Sequence, residues 1–250
     1  MKRQLAATVV AVGALAVAVT AVVSAAPRQS TESDGSALQA KKPQSYDEDE
    51  LFIETNATDG DAGLQLNLDA EGWRRLKIID PKGRTLMDTN AKGKLRNWGL
   101  TGMTFESAEP GFDEVSFKKF KKRFPAGKYK FRGETVEGRK LRGADKVSHK
   151  IPDQPNITSP PPDGEVSAAG FTITWDPVTP PKGTEIVRYI AIAAQETEPA
   201  REMEVPLPGT ATSATIPGQF LTPGIETKIE VLAKASNGNQ TITEIPVTLK

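Results

Sequence analysis

Phe171-Thr172-Ile173-Thr174-Trp175 alternates side chains of opposite character and ends on a tryptophan, the pattern of a strand with one buried face. Further strands follow downstream at Ile190 and Ile192, at Thr215-Ile216 and at Ile229-Glu230-Val231, with turn residues between them at near-regular spacing. Residues 154–250 therefore read as a β-sandwich of about seven strands. Upstream, Pro152 and Pro155 mark a boundary.

Before that boundary, residues 47–151 form a first module of the same class. Leu51-Phe52-Ile53-Glu54 opens a strand, and Leu64-Gln65-Leu66-Asn67-Leu68 alternates as a half-buried strand does. Leu76-Lys77-Ile78 and Thr85-Leu86-Met87 flank Asp80-Pro81-Lys82-Gly83, a tetrapeptide suited to a type I turn. Gly102-Met103-Thr104-Phe105, Tyr129-Lys130-Phe131 and Lys140-Leu141-Arg142 supply more strands. Between them, Ser116 caps one short helical pattern with Phe117, Phe120 and Phe124 on one face, closed by Pro125 and Gly127. The fold class expected is all-β, two tandem antiparallel sandwiches.

Residues 155–250 resemble a fibronectin type III domain. The resemblance rests on Pro155-Asn156-Ile157-Thr158, on Thr172-Ile173-Thr174-Trp175-Asp176-Pro177, on Val187-Arg188-Tyr189-Ile190-Ala191-Ile192, and above all on Leu221-Thr222-Pro223-Gly224 running into Ile229-Glu230-Val231-Leu232-Ala233. It implies a spacer or interaction domain without catalysis. Thr227 stands where that family usually has a corner tyrosine, so the hydroxyl bond that pins the corner is expected to be missing. Gln219-Phe220 is an insertion before Leu221, and Ser236-Asn237-Gly238-Asn239-Gln240 lacks the Arg-Gly-Asp of the integrin-binding members. Residues 47–151 match no characterised family pattern.

The N-terminus reads as an export signal. Met1-Lys2-Arg3 is followed by 19 uncharged residues, Leu5–Val23, and Val23-Ser24-Ala25 is a small-residue cleavage pattern. Cleavage after Ala25 is expected, with an uncleaved membrane anchor as the alternative, because 19 residues just span a bilayer. Either way the body lies outside the cytoplasm, secreted or associated with the cell envelope. The Ala/Val-rich signal is of bacterial type. Residues 26–46 hold only Leu38 and Tyr46 as large apolar groups, which suits a disordered tether. Without residues 1–25, 30 basic residues face 32 acidic ones. That balance argues against a general polyanion binder, and no nucleic-acid partner is expected; the absence of Cys excludes disulfides and thiolate chemistry.

Catalytic signals are weak. His149 is the only histidine, so neither a hydrolase triad nor a multi-histidine metal site can be built within one chain. Glu106, Glu109, Asp113 and Glu114 are the carboxylates a glycan-acting enzyme would use; around Pro110-Gly111, solvated loop charge is the simpler reading. Asn56-Ala57-Thr58-Asp59-Gly60-Asp61 is rich in oxygen, so Asp59 and Asp61 are candidate Ca²⁺ ligands; an Asp-Gly turn is the plainer account. A melting-temperature shift on adding calcium tests the ion. Asn56, Asn156 and Asn239 lie in Asn-x-Thr sequons, to which no role is assigned.

Charge is split within the first module. Residues 47–114 carry 15 acidic and 8 basic groups, whereas residues 116–150 carry 13 basic and 3 acidic. The density peaks at Lys118, Lys119, Lys121, Lys122 and Arg123. With the phenylalanine face turned inward, these cations point to water and can meet an anionic polymer. The expected function is that of an exported, non-catalytic binding or spacer protein of the cell envelope. Its partners would be envelope polysaccharide, another anionic polymer or a protein. A membrane enters only through an uncleaved N-terminus. A polysaccharide-binding accessory module is the rival, with Trp73, Trp98 and Tyr129 as stacking residues.

Overall fold

The computed structural model describes residues 42–250; the segments read as export signal and cleavage site, and the part of the segment read as tether up to residue 41, lie outside them. Residues 43–250 form one unit. Strands β1 (Glu48–Asn56) and β2 (Asp61–Ile79) pair as a hairpin from Asn56↔Asp61 to Glu48↔Asp69. At 19 residues β2 is long enough to serve two sets of neighbours. Its first part lies between β1 and β4 (Leu100–Glu106), and its second between β3 (Thr85–Asn90) and β5 (Gly127–Thr135). The pairing shifts register around Trp73, where the neighbours change; such irregularities bend a sheet. Strand β6 (Lys140–Val147) flanks β5 and comes back towards β1, where the Leu51 N–H donates to Asp145 Oδ2 at 2.8 Å.

Leu64, Leu66, Leu68, Trp73, Leu76 and Ile78 all leave β2 on the inner side, and with Tyr129, Phe131 and Leu141 they make the first core. Two short helices accompany it. The turn α1 (Leu95–Trp98) was not legible as helix, and α2 (Phe117–Arg123) buries Phe120 in the core. Ser116 stands at the start of α2, but its hydroxyl makes no cap bond; its carbonyl accepts from Lys119 and Phe120 N–H instead. Folded structure also reaches back into the segment read as tether: Gln44 bridges to Leu141, and Tyr46 is buried beside Phe131.

The second core lies between two sheets. Strands β7 (Ile157–Ser159), β9 (Gly170–Trp175) and β12 (Ser213–Pro217) form one, in the order β12-β9-β7. Strands β10 (Ile186–Gln195), β11 (Arg201–Pro208), β13 (Thr227–Ala235) and β14 (Gln240–Leu249) form the other, in the order β11-β10-β13-β14, with β8 (Gly164–Val166) added parallel to β14. Trp175, Tyr189, Ile173, Ile229 and Val231 fill the space between them. The protein is all-β, and residues 157–249 are the fibronectin type III-like sandwich that the sequence implies.

The halves are not separate beads. Strand β14 pairs in parallel with β1 through Glu54↔Gln240, Thr55↔Thr241 and Asn56↔Ile242, so one hydrogen-bonded sheet runs from β11 to β6. Asn239 locks the seam. Its side chain is fully buried, accepts from Ile53 N–H at 2.9 Å and donates to the carbonyls of Ser148 (3.0 Å) and Lys150 (2.9 Å). Thr241 adds a bond to the Pro152 carbonyl at 2.8 Å.

Candidate functional site

The cationic helix is built as its phenylalanine spacing requires. Phe120 enters the core, Phe117 and Phe124 stack against it, and Lys118, Lys119, Lys122 and Arg123 are left exposed. Lys121 is half-buried, its ammonium 4.8 Å from the centre of the Phe117 ring. Among the described residues none of these five cations has a carboxylate within ion-pair distance.

A second basic surface escaped the sequence reading because it exists only through strand register. Lys77 on β2 stands opposite Arg132 on β5, which stands opposite Arg142 on β6. Three like charges in one cross-strand row oppose folding, since directly opposed charges of one sign repel. With Arg75, Lys140 and Glu134 they line a shallow groove of about 300 Å³. Glu134 is engaged by Arg74, and Asp88 by Arg75 and Lys77, so the acids nearby leave Arg132, Lys140 and Arg142 uncompensated.

The acids gather elsewhere. Glu106 on β4 and Glu109 on the following loop meet Glu54 of β1, with carboxylate oxygens of all three within 4.8 Å of one another. Glu109 folds over β2 at Gly63, where a Cβ would overlap its carboxylate. Gln240 of β14 donates to Glu54, placing this cluster on the seam between the halves. Burial first, and then the neighbouring acids, pushes Glu54 up to about 7 and raises Glu109 well above the carboxylate range. Such a group can share protons or offer three oxygens to a hard cation. Asp113 and Glu114 remain exposed on the loop, outside the cluster.

Asp59 and Asp61 sit at the β1–β2 turn. Asn56 Oδ1 accepts from Thr58 and Asp59 N–H at 2.9 and 3.1 Å, and its amide donates to Asp59, so an ordinary side-chain-braced turn accounts for Asp59. Asp61 is raised to about 6 by burial and then by Asp59. His149 bonds the Phe124 carbonyl at 2.8 Å. Of the proposed stacking residues, Trp73 and Tyr129 are fully buried and cannot meet a sugar; Trp98 is 85% exposed.

The fibronectin-like half, lacking the corner tyrosine, braces that corner by other groups. Its corner is pinned without a tyrosine: Gln195 donates to Thr227 Oγ1 (2.9 Å) and to the Thr222 carbonyl (3.2 Å), and accepts from Thr222 N–H (3.0 Å). The loop 236–239 is turned into the seam through Asn237 and Asn239.

Fold and charge together define an all-β protein whose first half carries basic patches and shares a sheet with a fibronectin type III-like second half. No family model matches the chain. Among solved structures it is similar to the fn3 domain of human collagen alpha-1(XX) chain, at 20% identity and a TM-score of 0.29 over 41% of this chain and 88% of that one. It is also similar to a two-domain fibronectin type III segment of chicken tenascin, at 13% identity and a TM-score of 0.29 over 81% and 98%. The FN1-FN3 domains of chicken CNTN1 align at 9% identity and a TM-score of 0.31 over 82% and 65%. The fold class rests on the strand order above rather than on these likenesses.

Proposed function

We propose that the protein is an exported, non-catalytic binding or spacer module of the cell envelope, whose first half holds anionic polymers. The observation that carries this reading is the set of uncompensated cations on α2, anchored from behind by a phenylalanine face. The row Lys77–Arg132–Arg142 extends the basic surface on rigid strands. Opposed cations that cost stability are accounted for when an anion lies across them.

Capture of envelope material by the full chain tests the proposal, because the halves share a sheet and neither has been shown to fold alone. Capture is expected at low salt and is lost at high salt. Charge reversal of Lys118, Lys119, Lys121 and Lys122 is expected to weaken it at least tenfold. Salt-resistant capture would point to a protein or sugar contact instead, and no capture at either salt would leave spacing as the role.

A further inference from the structure

Strands β3 and β4 both pair with β2, and the segment between them leaves the sheet as an exposed tip. Residues 92–98, Lys-Gly-Lys-Leu-Arg-Asn-Trp, are all exposed. Leu95 is 47% and Trp98 85% exposed, and both belong to the single helical turn α1, where residues three apart lie side by side. A tryptophan so far out of a core is unusual, and here it stands beside a second exposed apolar group. Lys92, Lys94 and Arg96 surround the pair, and no acid occurs from Thr89 to Phe105.

The tip is held firmly. Gly99, at a φ of +91°, donates to the Leu95 carbonyl at 2.8 Å, and a Cβ there would come within 2.9 Å of the Gly72 backbone on β2. Ala91 N–H bonds the Arg74 carbonyl at 2.7 Å at the other foot of the loop. The apolar pair is therefore presented to solvent rather than waiting to fold inward.

We propose that this tip docks the protein on an anionic lipid surface. Leu95 and Trp98 would enter the interfacial region, and Lys92, Lys94 and Arg96 would lie among the headgroups. A lipid surface matches both halves of the chemistry, apolar at the point and cationic around it. The charged groups of this segment are all cationic, which suits an anionic headgroup layer better than a neutral sugar. The inference goes beyond polymer binding by α2 and uses none of its residues.

The three tryptophans make the test direct. Trp73 and Trp175 are 0% and 2% exposed, so a change in emission on binding reports Trp98. The full chain is titrated with vesicles of phosphatidylglycerol or of phosphatidylcholine. A blue shift with phosphatidylglycerol is expected, quenched by brominated acyl chains and much weaker with phosphatidylcholine. Leu95→Ser with Trp98→Ser should reduce vesicle co-sedimentation roughly tenfold, and Lys92→Glu with Lys94→Glu and Arg96→Glu should remove the preference for the anionic lipid. Because these side chains are outside the core, an unchanged melting curve verifies folding. Reversal of the α2 cations should leave the blue shift in place. Vesicle binding without a Trp98 signal would overturn the proposal in favour of α2. The same shift produced by soluble glycans, or no shift with either lipid, would also overturn it.

Discussion

Glu54 is held at the seam among Gln240, Glu106, Glu109, Glu230 and Asp61, and its proton is worth more in the fold than in the open chain. An unfolded glutamate titrates near 4.5, whereas Glu54 titrates at about 7. Stability from the protonated form is thus complete below about pH 4.5 and is lost as pH rises through 7. Glu54→Gln cannot ionise and can still accept from Gln240. Its melting temperature should equal that of the parent near pH 4.5 and exceed it at pH 8, by an amount equivalent to roughly 1–3 kcal/mol. Parallel melting profiles from pH 4 to 9 would refute the assignment. Glu109, raised by burial and by Glu106, should follow the same trend.

The helix α2 separates two contributions that sequence patterns run together. Phe120 is buried, and Phe120→Ala should cost about 3 kcal/mol in denaturant unfolding. Ser116→Ala should cost less than about 0.5 kcal/mol, below the usual value for an N-cap, because the hydroxyl makes no cap bond. A loss of 1 kcal/mol or more would show the hydroxyl at work in solution. The same distinction explains what was legible. Alternation and turn chemistry are local, so Leu64–Leu68, Phe171–Trp175 and the Asp80–Gly83 turn could be read directly. That turn is closed by Asp80 Oδ1, which accepts from Lys82 and Arg84 N–H at 2.9 and 2.8 Å. Glu106 and Glu109 could be noticed as neighbours in sequence, but Glu54 joins them only through sheet pairing. The Lys77–Arg132–Arg142 row is likewise set by register, and Gln195 replaces the corner tyrosine from another strand.

For the whole molecule, the parallel pairing of β1 with β14 predicts one cooperative unit. Calorimetry should give a single unfolding transition, and two resolved peaks in the parent chain would contradict the shared sheet. Asn239→Ala leaves the Ile53 N–H and the Ser148 and Lys150 carbonyls without this partner. It should cost roughly 2–3 kcal/mol and begin to separate the halves into distinct transitions. A change below about 0.5 kcal/mol would mean that backbone pairing alone holds the seam.

The separation of 186 residues between Ile53 and Asn239 also sets an order of events during synthesis. Contacts that distant cannot form early, so β1 waits as an open strand edge while nearly all the intervening chain is made. The first half can collapse on its own leucines and phenylalanines, yet it acquires its last neighbour only when residues 239–242 emerge. Interrupting translation before that point would leave a chain with an exposed, pairing-competent edge, which makes the β13–β14 hairpin a checkpoint for aggregation as well as a joint.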